Sequence, residues 1–390
     1  MNRLTLKNVA QIKEADLTFG DLTVLVGPQA SGKSITLQWI KLLQDTGLIQ
    51  RQMHAYGLDY DKKLPEFLDV YFGEGMRSIW QEGSSEIKID GKLINVEKRI
   101  GRQQAENPET TFLIPAQRVM ALPEGWPKPF QGYRAGDPYT VRAFSEGLRN
   151  LIEREFTGGA LFPQQNRLKK EYRDLLQQTV FGGFDLAIHK VQSQKRLVLS
   201  SKEGKLPFMV WSAGQREFVP LLLGLYWLMP PSKTPQRNEI EWVIIEELEM
   251  GLHPRAISTV LLIVLELMTR GYRVCLSTHS PQVLELVWAL EVLRKHGGKA
   301  NDLLDLFGAP HSQPLSRMAA LAIEKTSKVY CFEPGGIVKD ITELDPSSEE
   351  AQEATWGGLL EFSARANDTV AKVVANSPHF ATADMFAEKR

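Results

Sequence analysis

The chain has 390 residues, 43% hydrophobic and 24% charged, which suits a globular protein of one large or two ordinary domains. Lysine and arginine total 46 against 47 aspartates and glutamates, a net charge of −1, so no overall charge draws it to nucleic acid or to an anionic membrane. Two cysteines, Cys275 and Cys331, with no CxxC pair, argue against a disulfide framework or a zinc site and for a reducing, cytoplasmic setting.

In chain order, residues 3 to 26 read as strands: Leu4, Leu6 and Val9 alternate, Ile12 and Leu17 continue, and Gly20-Asp21 turns into the apolar run Leu22 to Val26. The alternating N-terminus has no apolar signal-peptide core. Gly27-Pro28-Gln29-Ala30-Ser31-Gly32-Lys33-Ser34 follows and fits the phosphate-loop pattern G-x-x-x-x-G-K-[ST]. Apolar residues at helical spacing run from Ile35 to Leu43, so the loop lies between a strand and a helix, the context the pattern requires.

Further on, a helical piece is expected near Pro65 to Leu68, and Glu86 to Val96 reads as a β-hairpin around Asp90-Gly91, a pair suited to the positive φ angles of a tight turn. Thr111 to Ile114 is a short strand before Pro115-Ala116-Gln117-Arg118, and 119–140 is a long ordered loop. Residues 141–180 are mostly helical, with Asn166 to Arg173 as a solvated, charged face. Strands are expected at 184–190, 195–200 and around Pro207 to Val210.

Ser212-Ala213-Gly214-Gln215 opens an apolar helix to about Met229. Its core, Val219 to Met229, is about half the length of a membrane span, so no membrane partner is expected. Trp242 to Ile245 is a buried strand ending in Glu246-Glu247. Pro254 to Arg270 is a helix, and Arg273 to Ser277 is a buried strand ending in Thr278-His279. A helix follows at 281–294, then a loop-rich stretch at 296–316, a strand at 328–332 and a tail that turns helical.

Strands alternating with helices around such a loop imply an α/β fold: a mostly parallel phosphate-loop NTPase sheet with helices on both faces. An antiparallel β subdomain and a helical insertion accompany it. Ligands gather at the carboxyl ends of such strands. There, backbone N–H groups of Gly27, Gln29, Ala30, Ser31 and Gly32 cradle phosphates, Lys33 reaches the β- and γ-phosphates, and Ser34 ligates Mg²⁺. Of the two strand-end acids, Glu246 goes to the metal and Glu247 to the attacking water, with His279 near the γ-phosphate. Two acids at a solvent-exposed strand end, and a histidine that only bonds locally, are the bland alternatives.

The order of phosphate loop, Ser-x-Gly-Gln, Glu-Glu strand end, Leu252-His253-Pro254 and Ser277-Thr278-His279-Ser280 resembles the ABC-type ATPase heads. It is most similar to the branch holding the chromosome-maintenance (SMC), recombination (RecF-type) and overcoming-lysogenisation-defect ATPases. The resemblance implies that ATP with Mg²⁺ is the ligand, that Ser212, Gly214 and Gln215 form a signature touching the γ-phosphate on an opposite subunit, and that two nucleotides are sandwiched in a homodimer or higher oligomer. Gln117 resembles the glutamine that senses metal and water, although Arg118 facing phosphate is the other reading of that segment. Ala213 departs from the usual glycine, and Glu246 from the aspartate usual in transporters. No long heptad arm is present. The region after His279 lacks the acidic cluster of a Toprim nuclease, so a stand-alone ATPase head is implied.

The expected division is 1–50 and 206–345 as the two parts of the ATPase lobe, 51–205 as the β-hairpin and helical insertion, and 346–390 as a tail. The expected activity is ATP hydrolysis by a dimerising switch. By resemblance it controls a separately encoded effector in anti-phage defence; a DNA-repair ATPase clamping DNA is the alternative. A membrane importer's nucleotide-binding subunit and a scaffold with little turnover are further rivals.

Overall fold

The computed structural model describes residues 1–102, 105, 107–156, 159–191, 194–230, 236–237 and 239–375. Its strands are β1 (Arg3–Val9), β2 (Ile12–Thr18), β3 (Leu22–Val26), β4 (Glu86–Ile89), β5 (Lys92–Leu93), β6 (Thr111–Ile114) and β7 (Ala160–Phe162). They continue with β8 (Asp185–Val191), β9 (Gln194–Ser200), β10 (Lys205–Pro207), β11 (Trp242–Ile245), β12 (Arg273–Ser277), β13 (Ser327–Phe332) and β14 (Val338–Asp340). The helices are α1 (Lys33–Ala55), α2 (Leu64–Phe72), α3 (Val96–Gly101), α4 (Tyr139–Glu155), α5 (Lys170–Leu176) and α6 (Ala213–Leu228). After them come α7 (Pro254–Thr269), α8 (Pro281–His296), α9 (Ala300–Leu306), α10 (Gln313–Ile323), α11 (Ala351–Ala354) and α12 (Glu361–Ala375). No helix among the described residues is long and apolar enough to cross a membrane.

The central sheet runs β14-β13-β3-β12-β11-β6. Four of its five pairings are parallel, and the β13–β14 pairing at the edge is antiparallel. Alternate side chains enter two separate cores. Val24, Val26, Ile114, Val243, Ile245 and Leu276 join one with α6, α7, α8 and α10. Leu25, Leu113, Trp242, Ile244, Cys275 and Phe332 join the other with α1 and α2. Burial on both faces is why these strands read as unbroken apolar runs rather than alternating ones. The expected α/β sheet with helices on both faces is therefore the fold. Two antiparallel sheets flank it, β2-β1-β4-β5 and β10-β9-β8-β7.

The Asp90-Gly91 hairpin forms with φ of 48° and 80° at its two turn residues. Its second strand is shorter than expected, because Asn95 accepts a hydrogen bond from Lys98 N at 2.6 Å and caps α3. α1 also runs well past Leu43. At Asp45 it leaves helical geometry, with φ −113° and ψ 26°. There the Asp45 carboxylate accepts from Thr110 N and Thr111 N, and from Lys41 Nζ at 2.7 Å. This buried ion pair ties α1 to β6, a tertiary tie invisible in helical periodicity.

Three further expectations are corrected. The segment 296–316 is largely helical: Gly297, at φ 71°, ends α8, and the short helices α9 and α10 begin soon after. Pro207 to Val210 is strand only to Pro207, then a 3-10 turn. Asn166 to Arg173 is not a solvated helical face. The helix begins only at Lys170, and Arg167 is buried, donating to Tyr226 O at 2.9 Å, Met229 O at 3.2 Å and Glu155. A guanidinium satisfies the orphan carbonyls at the end of α6, which explains a charged residue inside the core.

Candidate nucleotide site

β3 delivers the loop at Gly27, whose φ is 133°. A Cβ there would stand 2.4 Å from Phe332 O, so β13 leaves room for glycine alone. Gly32, at φ 105°, lies as close to Ile12, where a Cβ would meet Cγ1 at 2.6 Å. It also precedes α1, whose first N–H groups have no partner within the helix and so face any anion held by the loop. Ser31 Oγ donates to Pro28 O at 2.8 Å. Gln11, from the β1–β2 turn, donates to Ala30 O at 2.8 Å. Lys33 Nζ donates to Gly27 O at 2.8 Å and Pro28 O at 2.7 Å. Burial lowers its proton affinity, opposed by the nearby carboxylates of Glu247 and Glu249.

A cavity of about 150 Å³ opens on this loop. Gln11, Lys33, Ser34, Glu247 and His279 line it, together with Gln29, Ala30, Ser31 and Gly32. Three strand ends, from β3, β11 and β12, thus supply one pocket. The His279 Nε2 lies 4.0 Å from Glu247 Oε1, and both side chains are about a third exposed. Glu247 has φ 45°, a sparsely populated conformation for a residue other than glycine. Its backbone is pinned from both sides: its N–H donates to Ser277 Oγ at 3.2 Å, and its carbonyl accepts from Arg118 Nη2 at 3.1 Å. A family model described as "AAA domain, putative AbiEii toxin, Type IV TA system" matches residues 22–285, more than half of the chain and every strand end of this pocket.

The chain belongs to that family.

An AAA-domain chain of this family agrees with the ATPase head read from the order of its motifs. Among solved structures, it is similar to the dimeric bacterial ABC transporter cassette MJ0796, with 12% identity over 86% of this chain and 98% of that one, at a TM-score of 0.35. An SMC head bound to the C-winged helix domain of ScpA gives 10% identity, coverage of 73% and 90%, and a TM-score of 0.39. The SMC head domain from Thermotoga maritima gives 11%, 73% and 90%, at 0.30. Scores this low place no residue of the chain onto a residue of those proteins. No curated protein matches the chain.

The other residues expected at the site lie off the cavity wall. Glu246 is buried: its Oε2 accepts from Ala116 N at 2.9 Å, while Oε1, near the Gln38 side chain, has no partner at full hydrogen-bond geometry among the described residues. Burial pushes its carboxyl up to about 7. Gln117 is exposed at the start of a 3-10 turn and does not reach the pocket. Ser212 caps α6 in a reciprocal box with Gln215: Ser212 Oγ accepts from Gln215 N at 3.2 Å, and Gln215 Oε1 from Ser212 N at 3.0 Å. Gln215 Nε2 also donates to Val180 O, so that side chain is engaged within its own chain. Gly214 packs against the turn after the acids; a Cβ there would meet Gly251 O at 2.8 Å. His253 caps α7, its Nδ1 accepting from Arg255 N at 3.2 Å.

Arg118 does not face phosphate. It is fully buried and donates to Glu217 O, Glu246 O and Glu247 O at 3.0–3.1 Å. One guanidinium thereby joins α6 to the backbone of both acids. Sequence reading missed this brace, and also Gln11 and Glu249; a third acid two residues after Glu247 was the only signal for the last. Replacing Arg118 by methionine removes three hydrogen bonds made by a buried guanidinium, the one to Glu246 O fully buried, so stability should drop by about 2–4 kcal/mol. Urea unfolding measures this; a change below about 0.5 kcal/mol, the size of an ordinary surface effect, would show that the brace is not structural.

Proposed function

We propose that the chain binds ATP with Mg²⁺ on the 27–34 loop and hydrolyses it, in a head-to-tail dimer that closes with ATP and opens after hydrolysis. The observation that supports this best is the convergence of Lys33, Ser34, Glu247 and His279 on one cavity. Lys33 would exchange its contacts with the loop carbonyls for the β- and γ-phosphate oxygens. Glu247 would orient the attacking water and take its proton, and His279 would hold the γ-phosphate side. The water oxygen bonds to the γ-phosphorus as the bond to the β–γ bridging oxygen breaks, releasing ADP and phosphate.

No group of three or more His, Cys, Asp or Glu among the described residues forms a metal cage. The donors present suit Mg²⁺, which keeps waters and takes one or two protein oxygens along with phosphates. Ser34 Oγ would hold it, and Glu246 Oε1, a buried acceptor with no full hydrogen bond among the described residues, would take a bond from its hydration shell. Mg²⁺ when bound neutralises charge on the phosphates.

Ser212 and Gly214 lie outside the pocket of their own chain. A second copy supplying its α6 N-terminus would complete the site, with the free N–H groups of that helix facing the γ-phosphate. On this reading residues 1–50 and 206–345 carry the site, and 51–205 and 346–390 transmit its closure. We read the chain as a cytoplasmic defence ATPase acting on a separate effector; the family description, with its AbiEii toxin name, supports the defence setting alone. Ser212→Arg should leave labelled-ATP binding to the monomer intact and abolish ATP-dependent association in sedimentation. Unchanged association would remove Ser212 from the interface.

A further inference from the structure

Glu249 lies on the turn after β11, and its side chain is not part of the cavity wall. Its carboxylate reaches the segment after β12 instead. Oε1 accepts from the backbone N–H of His279 at 2.5 Å, and Oε2 from the Thr278 hydroxyl at 3.0 Å. Thr278 is fully buried, and its Oγ1 accepts in turn from Ser280 N at 2.9 Å. The turn that carries Glu249 is closed by Leu252 N donating to Glu249 O at 2.9 Å and by Met250 N donating to Glu247 O at 3.1 Å. Two residues earlier, Glu247 N donates to Ser277 Oγ. The two strand ends are therefore joined twice, and between the joins the His279 ring approaches the Glu247 carboxylate.

We propose that Glu249 is a positioning residue, whose carboxylate fixes the backbone of Thr278 and His279 and so sets the His279 ring against Glu247. This rests on the ATPase reading above. Both contacts are hydrogen bonds to an ionised acceptor, about twice as strong as neutral ones. The held N–H belongs to His279 itself, so the clamp acts on the Cα that carries the ring. Misplacement of a reacting group by about 1 Å costs roughly 100-fold in rate. Glu249 also adds negative charge near Lys33, and a purely electrostatic role would act there. The two roles separate by substitution. Glutamine keeps the shape and the bond from His279 N–H through its oxygen, reverses the other by donating its amide to Thr278 Oγ1, and removes the charge.

The test is steady-state ATP hydrolysis by the full chain carrying Glu249→Ala, Glu249→Gln, His279→Ala or Glu249→Ala with His279→Ala. Glu249→Ala should lower kcat by about 10- to 100-fold and leave KM for ATP within about twofold, since the phosphate loop is untouched. Glu249→Gln should recover most of the rate. In the His279→Ala background Glu249→Ala should have no further effect. Wild-type turnover by Glu249→Ala, equal loss in Glu249→Gln, or the same loss in both backgrounds would each overturn the proposal. Wild-type turnover by His279→Ala would fell the assignment of His279 first, and the clamp with it. Absence of hydrolysis by the unaltered chain would instead refute the ATPase reading.

Discussion

Lys33→Ala should abolish measurable ATP binding, lowering affinity by about 100-fold or more. The ammonium is the single cationic side chain on the described wall of the cavity. Against phosphate it makes charge-assisted hydrogen bonds worth about 1.5–3 kcal/mol each, and two of them correspond to roughly 10²- to 10⁴-fold in Kd. The same amine holds the carbonyls of Gly27 and Pro28, so its removal also loosens the loop that presents its N–H groups. Equilibrium binding of labelled ATP is the check. Wild-type affinity in Lys33→Ala would show that the loop is not the phosphate site.

Glu247→Gln should bind ATP normally and hydrolyse it about 10²- to 10⁴-fold more slowly, the range of a lost general base. The amide has nearly the shape of the carboxylate, so the pinned backbone, with its N–H on Ser277 and its carbonyl on Arg118, is undisturbed. Only the capacity to take a proton from water is lost. ATP should then persist in the closed assembly, which single-turnover quench and sedimentation would both register. Near wild-type turnover would move the base elsewhere, and Glu246, buried and facing Ala116 N, would be a poor substitute.

What made the site legible was its dependence on local pattern. A glycine loop between a buried strand and a helix, and strands whose apolar runs stop at polar residues, are written in contiguous residues. Both parallel-sheet faces followed from the same runs, since a strand covered on both sides has no polar alternate. The brace and the clamp were not legible, because each is a long-range polar contact. Arg118 meets Glu246 and Glu247 from a separate segment, and Glu249 meets His279 from another strand. Nothing in a lone arginine or a third acid distinguishes these from surface charge. Arg167 misled for the same reason: its neighbours in sequence are charged, but its neighbours in space are the carbonyls ending α6. Likewise α9 and α10 were hidden by the glycines and prolines around them.

The central claim is that one nucleotide site is built from two copies of the chain, and mixing two inactive variants tests it most directly. Lys33→Ala loses the phosphate loop, and Ser212→Arg loses the surface offered to the partner's nucleotide. In a mixed dimer the loop of the Ser212→Arg copy meets the intact Ser212 of the Lys33→Ala copy, and the introduced arginine faces a pocket that holds no ATP. The account predicts that each variant alone is inactive, and that an equal mixture regains up to about a quarter of wild-type hydrolysis, as random pairing in a two-fold dimer requires. A mixture no more active than the sum of its parts, beside a wild-type chain that hydrolyses ATP with a specific rate independent of its concentration, would contradict it.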